Sequence, residues 1–230
     1  MLGQMSEESQ HDTIEFLSRP ESYGSQAPVE TIVTHISRVF LAGDRVYKLK
    51  RAVRFPYLDF TDVQVRKRTC ESELRLNRRT APDLYLDVVA VTRDAAGRLS
   101  LGGEGTPLDW LVVMRRFDQD CLLDRVARHG GLTQAHMDDL AERLFRFHGD
   151  ADIDRRRGGR AAIQAVIDEN EEVLARFARG RLDRDKIARM TELTRVQLGR
   201  TGALLDRRRD RGLVRRCHGD LHLRNIVLLD

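Results

Sequence analysis

Proline is distributed unevenly along this chain of 230 residues, and that distribution constrains the fold more than any other sequence feature. All five prolines lie at or before Pro107. Proline breaks the interior of a helix, because it lacks an N–H group and its ring clashes with the preceding turn. The second half of the chain is therefore free to be mostly helical.

The residues before Arg116 have the pattern of strands around one long helix. Thr61 with Gln64 three residues later is a capping-box pattern, which predicts a helix over residues 62–79. Five other segments have the alternating or apolar character of strands. They are residues 29–41, 44–50, 84–92, 98–102 and 109–114.

After Arg116 the pattern is helical. Thr133 is expected to cap a helix that runs to about His148, because apolar residues follow it at helical spacing. Further helices are expected over residues 121–129, 160–179 and 183–206, and a short apolar strand over residues 226–229.

These elements predict an α+β fold in two parts. The expected domains are a loose N-terminal arm over residues 1–27 with one short helix near residues 14–17, a strand-rich lobe with one long helix over residues 28–116, and a helical lobe over residues 117–230. The length suits one large domain or two small ones. A hydrophobic content of 41% excludes a wholly disordered chain.

Composition also indicates the cellular compartment of the protein. No stretch approaches the roughly 18 consecutive apolar residues of a membrane-spanning helix, and the first twelve residues lack the pattern of a secretory signal. Cys70, Cys121 and Cys217 are odd in number and far apart, so neither a disulfide framework nor a CxxC metal site is expected. A reducing cytoplasm fits best.

The basic charge has an unusual make-up. The net charge is +4, but 36 acidic residues almost balance 40 basic ones. Arginine clusters at residues 155–160 and 207–216 are interleaved with acids or lie on expected solvated helix faces. With few aromatic residues near them, nucleic acid is disfavoured as a partner. Lysine is rare, which draws attention to each one because a compact ammonium group is common in phosphate sites. The lysines are Lys48, Lys50, Lys67 and Lys186.

The most informative segment is an HxDxxxxN pattern, which begins at His218 and places Asp220 five residues before Asn225. On one loop, such a carboxylate can orient and deprotonate an attacking hydroxyl group, while the amide oxygen coordinates a magnesium ion that bridges nucleotide phosphates. Apolar residues follow at once and would pin the loop.

With this loop, the chain resembles the protein-kinase-like superfamily, specifically the aminoglycoside phosphotransferases. Three further stretches are similar to the kinase-like N-terminal part of the bacterial bifunctional aminoglycoside phosphotransferase/ATP-binding proteins. They are HISRVFLAGDRVYKLKRAVRFPYLDF, ESELRLNRRTAPDLYL and VVMRRFD. The resemblance covers roughly residues 28–230. It implies a two-lobe kinase fold, ATP and Mg²⁺ as cofactors, a small-molecule hydroxyl compound as substrate, and a downstream P-loop domain in the full-length protein.

The resemblance also implies roles for individual residues. Asp220 matches the catalytic base, Asn225 a magnesium ligand, and His218 a structural residue of the loop. Lys48 matches the strand lysine that holds the α- and β-phosphates, and is preferred to Lys50. Glu73, preferred to Glu71, matches the partner of that lysine. Val46 would lie under the adenine, and Ser37 near the phosphates. Met114 falls at the lobe connection, where backbone groups of residues 114–116 would meet the adenine edge.

Three departures from the family pattern limit what is expected. No GxGxxG precedes Lys48, so phosphate contacts would rest on backbone amides and the Ser37 hydroxyl. His222 stands two residues after Asp220, where protein kinases place a lysine, which favours a small-molecule substrate. The chain also stops at Asp230, before the segment in which the family carries a second magnesium aspartate. We therefore expect a truncated helical lobe and impaired transfer.

Other interpretations stay open. A non-catalytic nucleotide-binding or interaction module would explain the absent aspartate. His218, Asp220 and His222 share a face if the segment is extended and could bind zinc in a metallohydrolase. An arginine-rich nucleic-acid binder is a weaker alternative. Lys48 could also be a solvated strand residue, and Glu73 could pair along its own arginine-rich helix.

Overall fold

The protein has an α+β fold that divides into two compact units, a first unit, Met1–Cys121, and a second unit, Leu122–Asp230. The structure, a computed structural model, describes residues 10–55, 58–177, 180 and 182–229. Within these residues no helix is long and apolar enough to cross a membrane. The sequence pattern placed the boundary between the two parts a few residues earlier, at residues 116 and 117.

The first unit is built on a six-stranded antiparallel sheet in the order β1-β2-β3-β8-β6-β7, with β4 and β5 as a separate short pair. Every segment predicted as a strand in this unit contributes to the sheet. The strands are β1 (Glu30–Val33), β2 (Ser37–Ala42), β3 (Arg45–Lys50), β4 (Arg54–Phe55), β5 (Leu58–Asp59), β6 (Tyr85–Arg93), β7 (Leu99–Leu101) and β8 (Thr106–Arg115).

The strand-like segment over residues 29–41 forms two strands, β1 and β2. The Thr34 amide donates a hydrogen bond to the Ser37 carbonyl oxygen at 2.8 Å, which reverses the chain between β1 and β2. The next reversal, between β2 and β3, uses Gly43 with φ +59°, a left-handed conformation that glycine adopts without a Cβ clash.

The long helix of the first unit, α2 (Val63–Asn77), begins one residue later than the capping-box pattern predicts. Its N-cap is Asp62, whose side chain accepts a hydrogen bond from the Gln64 amide at 2.7 Å. Thr61 is not the cap, and its hydroxyl donates to Asp59 at 2.6 Å.

From Gln10 onward the N-terminal arm packs on the sheet, and the short helix predicted near residues 14–17 is confirmed. It forms α1 (His11–Leu17) and a 3₁₀ turn (Pro20–Tyr23). Leu17 is fully buried and packs in the core cluster with four residues of the sheet, since an apolar helix face gains most of its stability by burial. The four are Phe40, Leu49, Val91 and Leu111. The first nine residues of the expected arm lie outside the described residues.

In the described part of the second unit there are four α-helices, α3 (Leu123–Arg128), α4 (Gln134–Asp150), α5 (Gly159–Phe177) and α6 (Arg184–Asp210). The predicted cap of α4 is confirmed: the Thr133 hydroxyl accepts from the His136 amide. The short strand predicted over residues 226–229 is wrong, because only an isolated bridge between Leu122 and Val227 is formed. Many apolar side chains of the helices stay exposed, Phe145 to 81%.

Candidate functional site

One face of the sheet in the first unit carries the predicted nucleotide residues in successive rows. Directly paired residues of antiparallel strands project on the same side of the sheet. The register of β1, β2, β3 and β8 therefore defines two neighbouring rows, about 7 Å apart along the strands. One row is Glu30, Leu41, Val46 and Met114; the other is Ile32, Val39, Lys48 and Val112.

Lys48 and Glu73 are brought together, as the sequence predicts. The Lys48 Nζ lies 2.8 Å from Glu73 Oε1. Lys50, two residues along the same strand, binds the other carboxylate oxygen, Oε2. One carboxylate on α2 thus holds two ammonium groups of β3, and the sequence pattern had offered these lysines as alternatives.

The two ammonium groups set the ionisation of Glu73. Burial disfavours the charged form of this side chain, but the charges and hydrogen bonds of Lys48 and Lys50 outweigh it and hold the pKa of Glu73 below its ordinary value. The carboxylate is therefore ionised at neutral pH. Two cations against one anion leave an excess positive charge on the sheet face, which suits a phosphate group.

Ser37 does not present a hydroxyl group to a ligand. Its side chain is only 2% exposed, and its Oγ is buried without a hydrogen-bond partner among the described residues. Its amide donates to the Thr34 hydroxyl at 3.0 Å, so the amide is engaged as well. The turn between β1 and β2 therefore has fewer free hydrogen-bond donors for a phosphate than the sequence predicts.

A cleft of about 520 Å³ adjoins the row that contains Val46 and Met114. Its size lies within the range of small-molecule sites. Leu41 connects the two, since it lines the cleft and pairs directly with Val46. The cleft is lined by Glu30, Ile32, Leu41, Asp44, Arg116, Phe117, Asp118 and Gln119.

Backbone amides expected to meet an adenine edge are already used within the first unit. The Arg115 amide donates to the Leu84 carbonyl oxygen at 2.9 Å, and the Arg116 amide donates to the Asp44 carbonyl oxygen at 2.8 Å. Any backbone amide that donates to a base in this cleft would thus belong to residues 117–119, which also line the cleft.

In the second unit, the HxDxxxxN segment forms a turn, the HGD loop (residues 218–225), that is anchored at both ends. Before the loop, the Arg216 amide donates to the Asp152 carbonyl oxygen at 2.9 Å. After it, the Leu123 amide donates to the Ile226 carbonyl oxygen at 3.0 Å. Gly219 has φ +84°, which a residue with a Cβ rarely adopts, so glycine is required between His218 and Asp220.

The predicted residues of the HGD loop converge. The Asn225 side-chain nitrogen donates to the backbone oxygen of Asp220 at 2.9 Å and to its Oδ2 at 3.0 Å. His218 Nδ1 accepts from the Asp220 amide at 3.4 Å, which fits a bracing role. His222 Nε2 lies 3.6 Å from Asp220 Oδ1. Asp220 is nevertheless 77% exposed, so its carboxylate is open to a ligand.

The donor set of the HGD loop suits a hard cation such as Mg²⁺. Because Asn225 uses its nitrogen toward Asp220, its side-chain oxygen is left without a hydrogen-bond donor among the described residues. The exposed Asp220 carboxylate is a second oxygen donor. Across residues 10–55, 58–177, 180 and 182–229, no group of three or more His, Cys, Asp or Glu side chains could hold a metal. That finding gives no support to the zinc alternative.

Comparison with known proteins identifies relatives without assigning an activity. The uncharacterized protein Rv2004c of Mycobacterium tuberculosis and the uncharacterized protein Mb2027c of Mycobacterium bovis are each 30% identical to this chain over 200 residues. The match covers 86% of this chain and 38% of each relative, so the chain spans well under half of their length. No family model and no solved structure matches the chain.

The arginine clusters proposed as a nucleic-acid surface are partly paired with acids. Arg157 lies 3.7 Å from Asp154, and Arg209 lies 3.0 Å from Asp210 and 3.5 Å from Asp206. Such pairs reduce the positive charge that these helix faces offer to a polyanion.

A buried polar cluster next to the backbone of Lys50 was not predicted from the sequence. Arg66 on α2 binds both carboxylate oxygens of Asp109 at 2.9 Å. Gln10 donates to the same carboxylate at 2.6 Å and to the Lys50 carbonyl oxygen at 2.9 Å. The sequence did contain one indication of this cluster. Asp109 begins the apolar segment of residues 109–114, and a charge buried there needs a partner.

Proposed function

We propose that this chain is the kinase-like part of an ATP-dependent phosphotransferase, which transfers the γ-phosphate to a hydroxyl group of a small molecule. The observation that carries the proposal is the 2.8 Å pair between Lys48 and Glu73, on the same sheet face as Val46 and Met114. The HxDxxxxN sequence of the HGD loop supports it independently. The proposed fold is the two-lobe protein-kinase-like fold, a finer assignment than the α+β class.

In this proposal the first unit binds the nucleotide. The adenine base would lie in the cleft beside Leu41, Val46 and Met114. The next row toward α2 carries Lys48, so the α- and β-phosphates would meet an ammonium group about two residues along the strand. In the ligand-free protein, Glu73 holds that ammonium group. Positioning and charge neutralisation would supply most of the catalysis, as in other phosphoryl transfers.

The second unit would supply the chemical step. Asp220 would accept the proton of the substrate hydroxyl as its oxygen attacks the γ-phosphorus and the bond to the β-phosphate oxygen breaks. Asn225 orients this carboxylate through its side-chain nitrogen. Its side-chain oxygen is the group of this loop that would hold Mg²⁺, which neutralises the phosphate charges when bound.

The relatives suggest that this chain corresponds to one part of a larger protein, because it covers only 38% of their length. We infer that the complete protein carries a further domain, and the family resemblance favours a P-loop domain. The cytoplasm, where ATP and Mg²⁺ are plentiful, is the proposed location.

Thermal unfolding with and without MgATP tests nucleotide binding. At about 100 times its Kd, a ligand adds about 2.7 kcal/mol of stability, which raises the Tm of a protein of this size by roughly 5–10 °C. We expect this shift in the wild type and its loss in Lys48→Ala. Lys186→Ala, a change at an exposed lysine of α6, is the matched control and should keep the full shift. An unshifted Tm in the wild type would contradict the proposal.

A second measurement separates an enzyme from a nucleotide-binding module. ADP release from MgATP is followed with water and with small alcohols as acceptors. Turnover that is lost in Asp220→Asn supports the transferase. A full MgATP shift without any ADP release would instead favour the non-catalytic module that the sequence leaves open.

A further inference from the structure

The two lysines on Glu73 lie in different surroundings. The Lys50 side chain is 5% exposed, whereas the Lys48 side chain is 30% exposed. Both ammonium groups contact the same carboxylate, which is itself 13% exposed. The pair closest to solvent is therefore Lys48 with Glu73, and the pair beneath it is Lys50 with Glu73.

This difference in burial determines which lysine can leave. A buried ammonium group that loses its partner pays a large desolvation cost, because water cannot replace the lost charge. Lys50 would be stranded in that way. Lys48 can exchange Glu73 for another anion, since part of its side chain already meets solvent and a phosphate would restore the lost pairing.

The backbone of Lys50 is fixed as well. Its carbonyl oxygen accepts from Gln10, and Gln10 also donates to Asp109, the partner of Arg66. Arg66 and Glu73 lie seven residues apart on α2, about two helical turns, so both point to the same side of the helix. Helix α2 is thus tied to β3 through Glu73 and to β8 through Arg66, and Gln10 links the carboxylate of Asp109 to the backbone of Lys50.

We propose that Lys50 is a positioning residue that holds Glu73 permanently, and that Lys48 is the exchangeable partner that moves to a nucleotide phosphate. This inference rests on the proposed function, because it assigns the phosphates to Lys48. It divides between two lysines the tasks that a single strand lysine would otherwise combine. Helix α2 would then keep its position whether or not a nucleotide is bound.

Double-mutant cycles on the ligand-free protein test the first half of the inference. The variants are Lys50→Met, Lys48→Met, Glu73→Gln and the two lysine–glutamate double variants, each measured by thermal unfolding. We expect Lys50→Met to lower the Tm by roughly 6–15 °C, as for a broken buried pair, and Lys48→Met by at most roughly 3 °C. The coupling of Lys50 with Glu73 should be the larger one.

Two more variants keep this test decisive if Lys50→Met does not fold. Lys50→Arg preserves the charge and should retain most of the wild-type Tm. The double variant Lys50→Met with Glu73→Met replaces both partners by apolar side chains and should recover much of the loss. Equal destabilisation by Lys50→Met and Lys48→Met, or a larger effect of Lys48→Met, would overturn the inference.

Repeating the cycles with saturating MgADP tests the exchange. We expect the coupling of Lys48 with Glu73 to fall toward zero, while the coupling of Lys50 with Glu73 stays unchanged. Two purely structural ion pairs would keep both couplings. If MgADP raises the wild-type Tm but leaves the Lys48 coupling intact, the exchange is wrong. If MgADP has no effect on the wild type, the proposed function and the exchange are both wrong, whereas the ligand-free cycles still decide the role of Lys50.

Discussion

The two candidate sites differ most in how far they are formed before any ligand binds. In the first unit, Lys50 is buried and Glu73 is mostly covered, and each has a charged partner. In the second unit, the Asp220 and His222 side chains are 77% and 50% exposed, and their contacts lie within one short turn. One site is part of the protein interior, whereas the other is a surface loop held at its two ends.

Because of this difference, the two sites should contribute unequally to the free energy of unfolding and to turnover. Buried charges that lose a partner destabilise a fold strongly, but exposed groups contribute little to stability. Substitutions in the first site should therefore affect folding and binding together. Substitutions in the HGD loop should affect turnover almost alone, and the following predictions test that separation.

The largest expected effect is on turnover. Asp220→Asn should reduce ADP release by about 10²–10⁴-fold, because the amide cannot accept the hydroxyl proton. The Tm should stay within about 1 °C of the wild type, since the side chain is 77% exposed. Asp152→Asn, at an exposed aspartate of the same unit, is the control and should change neither quantity. A large fall in Tm for Asp220→Asn would break the proposed separation.

Next in size is the loss of the buried pair between Arg66 and Asp109. Arg66→Met should lower the free energy of unfolding of the first unit by about 3–5 kcal/mol, because it leaves a buried carboxylate without its cation. Urea unfolding at neutral pH measures this change. Arg66→Met combined with Asp109→Leu should restore much of the loss.

An exposed pair provides the control for that experiment. Arg143 binds Asp139 at 2.7 Å on the surface of α4, with side chains 75% and 61% exposed. Arg143→Met should leave the free energy of unfolding unchanged within error. Similar losses in Arg66→Met and Arg143→Met would show that burial does not distinguish the two pairs.

A smaller effect should appear in the pH dependence of stability. The folded protein lowers the pKa of Glu73, so the unfolded carboxylate binds protons first as the pH falls. The stabilisation by ionised Glu73 is complete above its unfolded pKa, about 4.5, and is lost as the pH falls through the lower folded value. Glu73→Gln should cost about 3 kcal/mol at pH 7, because Lys50 loses its anion but keeps a side-chain oxygen as a hydrogen-bond acceptor. Its difference from the wild type should shrink toward pH 3, and a constant difference would contradict the ion cluster.

The smallest expected change is in the stability of the HGD loop. Asn225→Ala removes two hydrogen bonds to Asp220 and should cost less than about 1 kcal/mol, because the loop is exposed. The same variant should weaken the dependence of MgATP binding on Mg²⁺, measured as the Tm shift at increasing Mg²⁺ concentration. An unchanged Mg²⁺ dependence would remove Asn225 from the proposed cation site.

Local patterns predicted much of the fold because local contacts form it. The cap at Thr133 depends on a residue three positions away and is confirmed. The cap at Thr61 is wrong, because the next residue, Asp62, accepts from the Gln64 amide instead.

The candidate site was only partly predictable for a similar reason. Alternation along β3 places Lys48 and Lys50 on one side, but it cannot tell how each is covered by α2. The pair of Arg66 and Asp109 joins residues 43 positions apart, and no local pattern encodes such a contact. The HGD loop is different, because the contacts of Asp220 with His218, His222 and Asn225 span at most five residues and lie within the motif.

The contact of Gln10 with the Lys50 carbonyl oxygen, across 40 positions of sequence, also indicates where the polypeptide can be divided. Residues 10–23 meet the sheet through buried Leu17 and Gln10, while the chain just after them, through Ala27, adds no helix or strand. A protein trimmed to begin near Val29 would therefore carry a vacant apolar groove and an unpaired carbonyl beside the lysines. We expect a synthetic peptide of residues 10–23 to bind that trimmed protein and restore its stability, so that the first unit could serve as a split-protein pair.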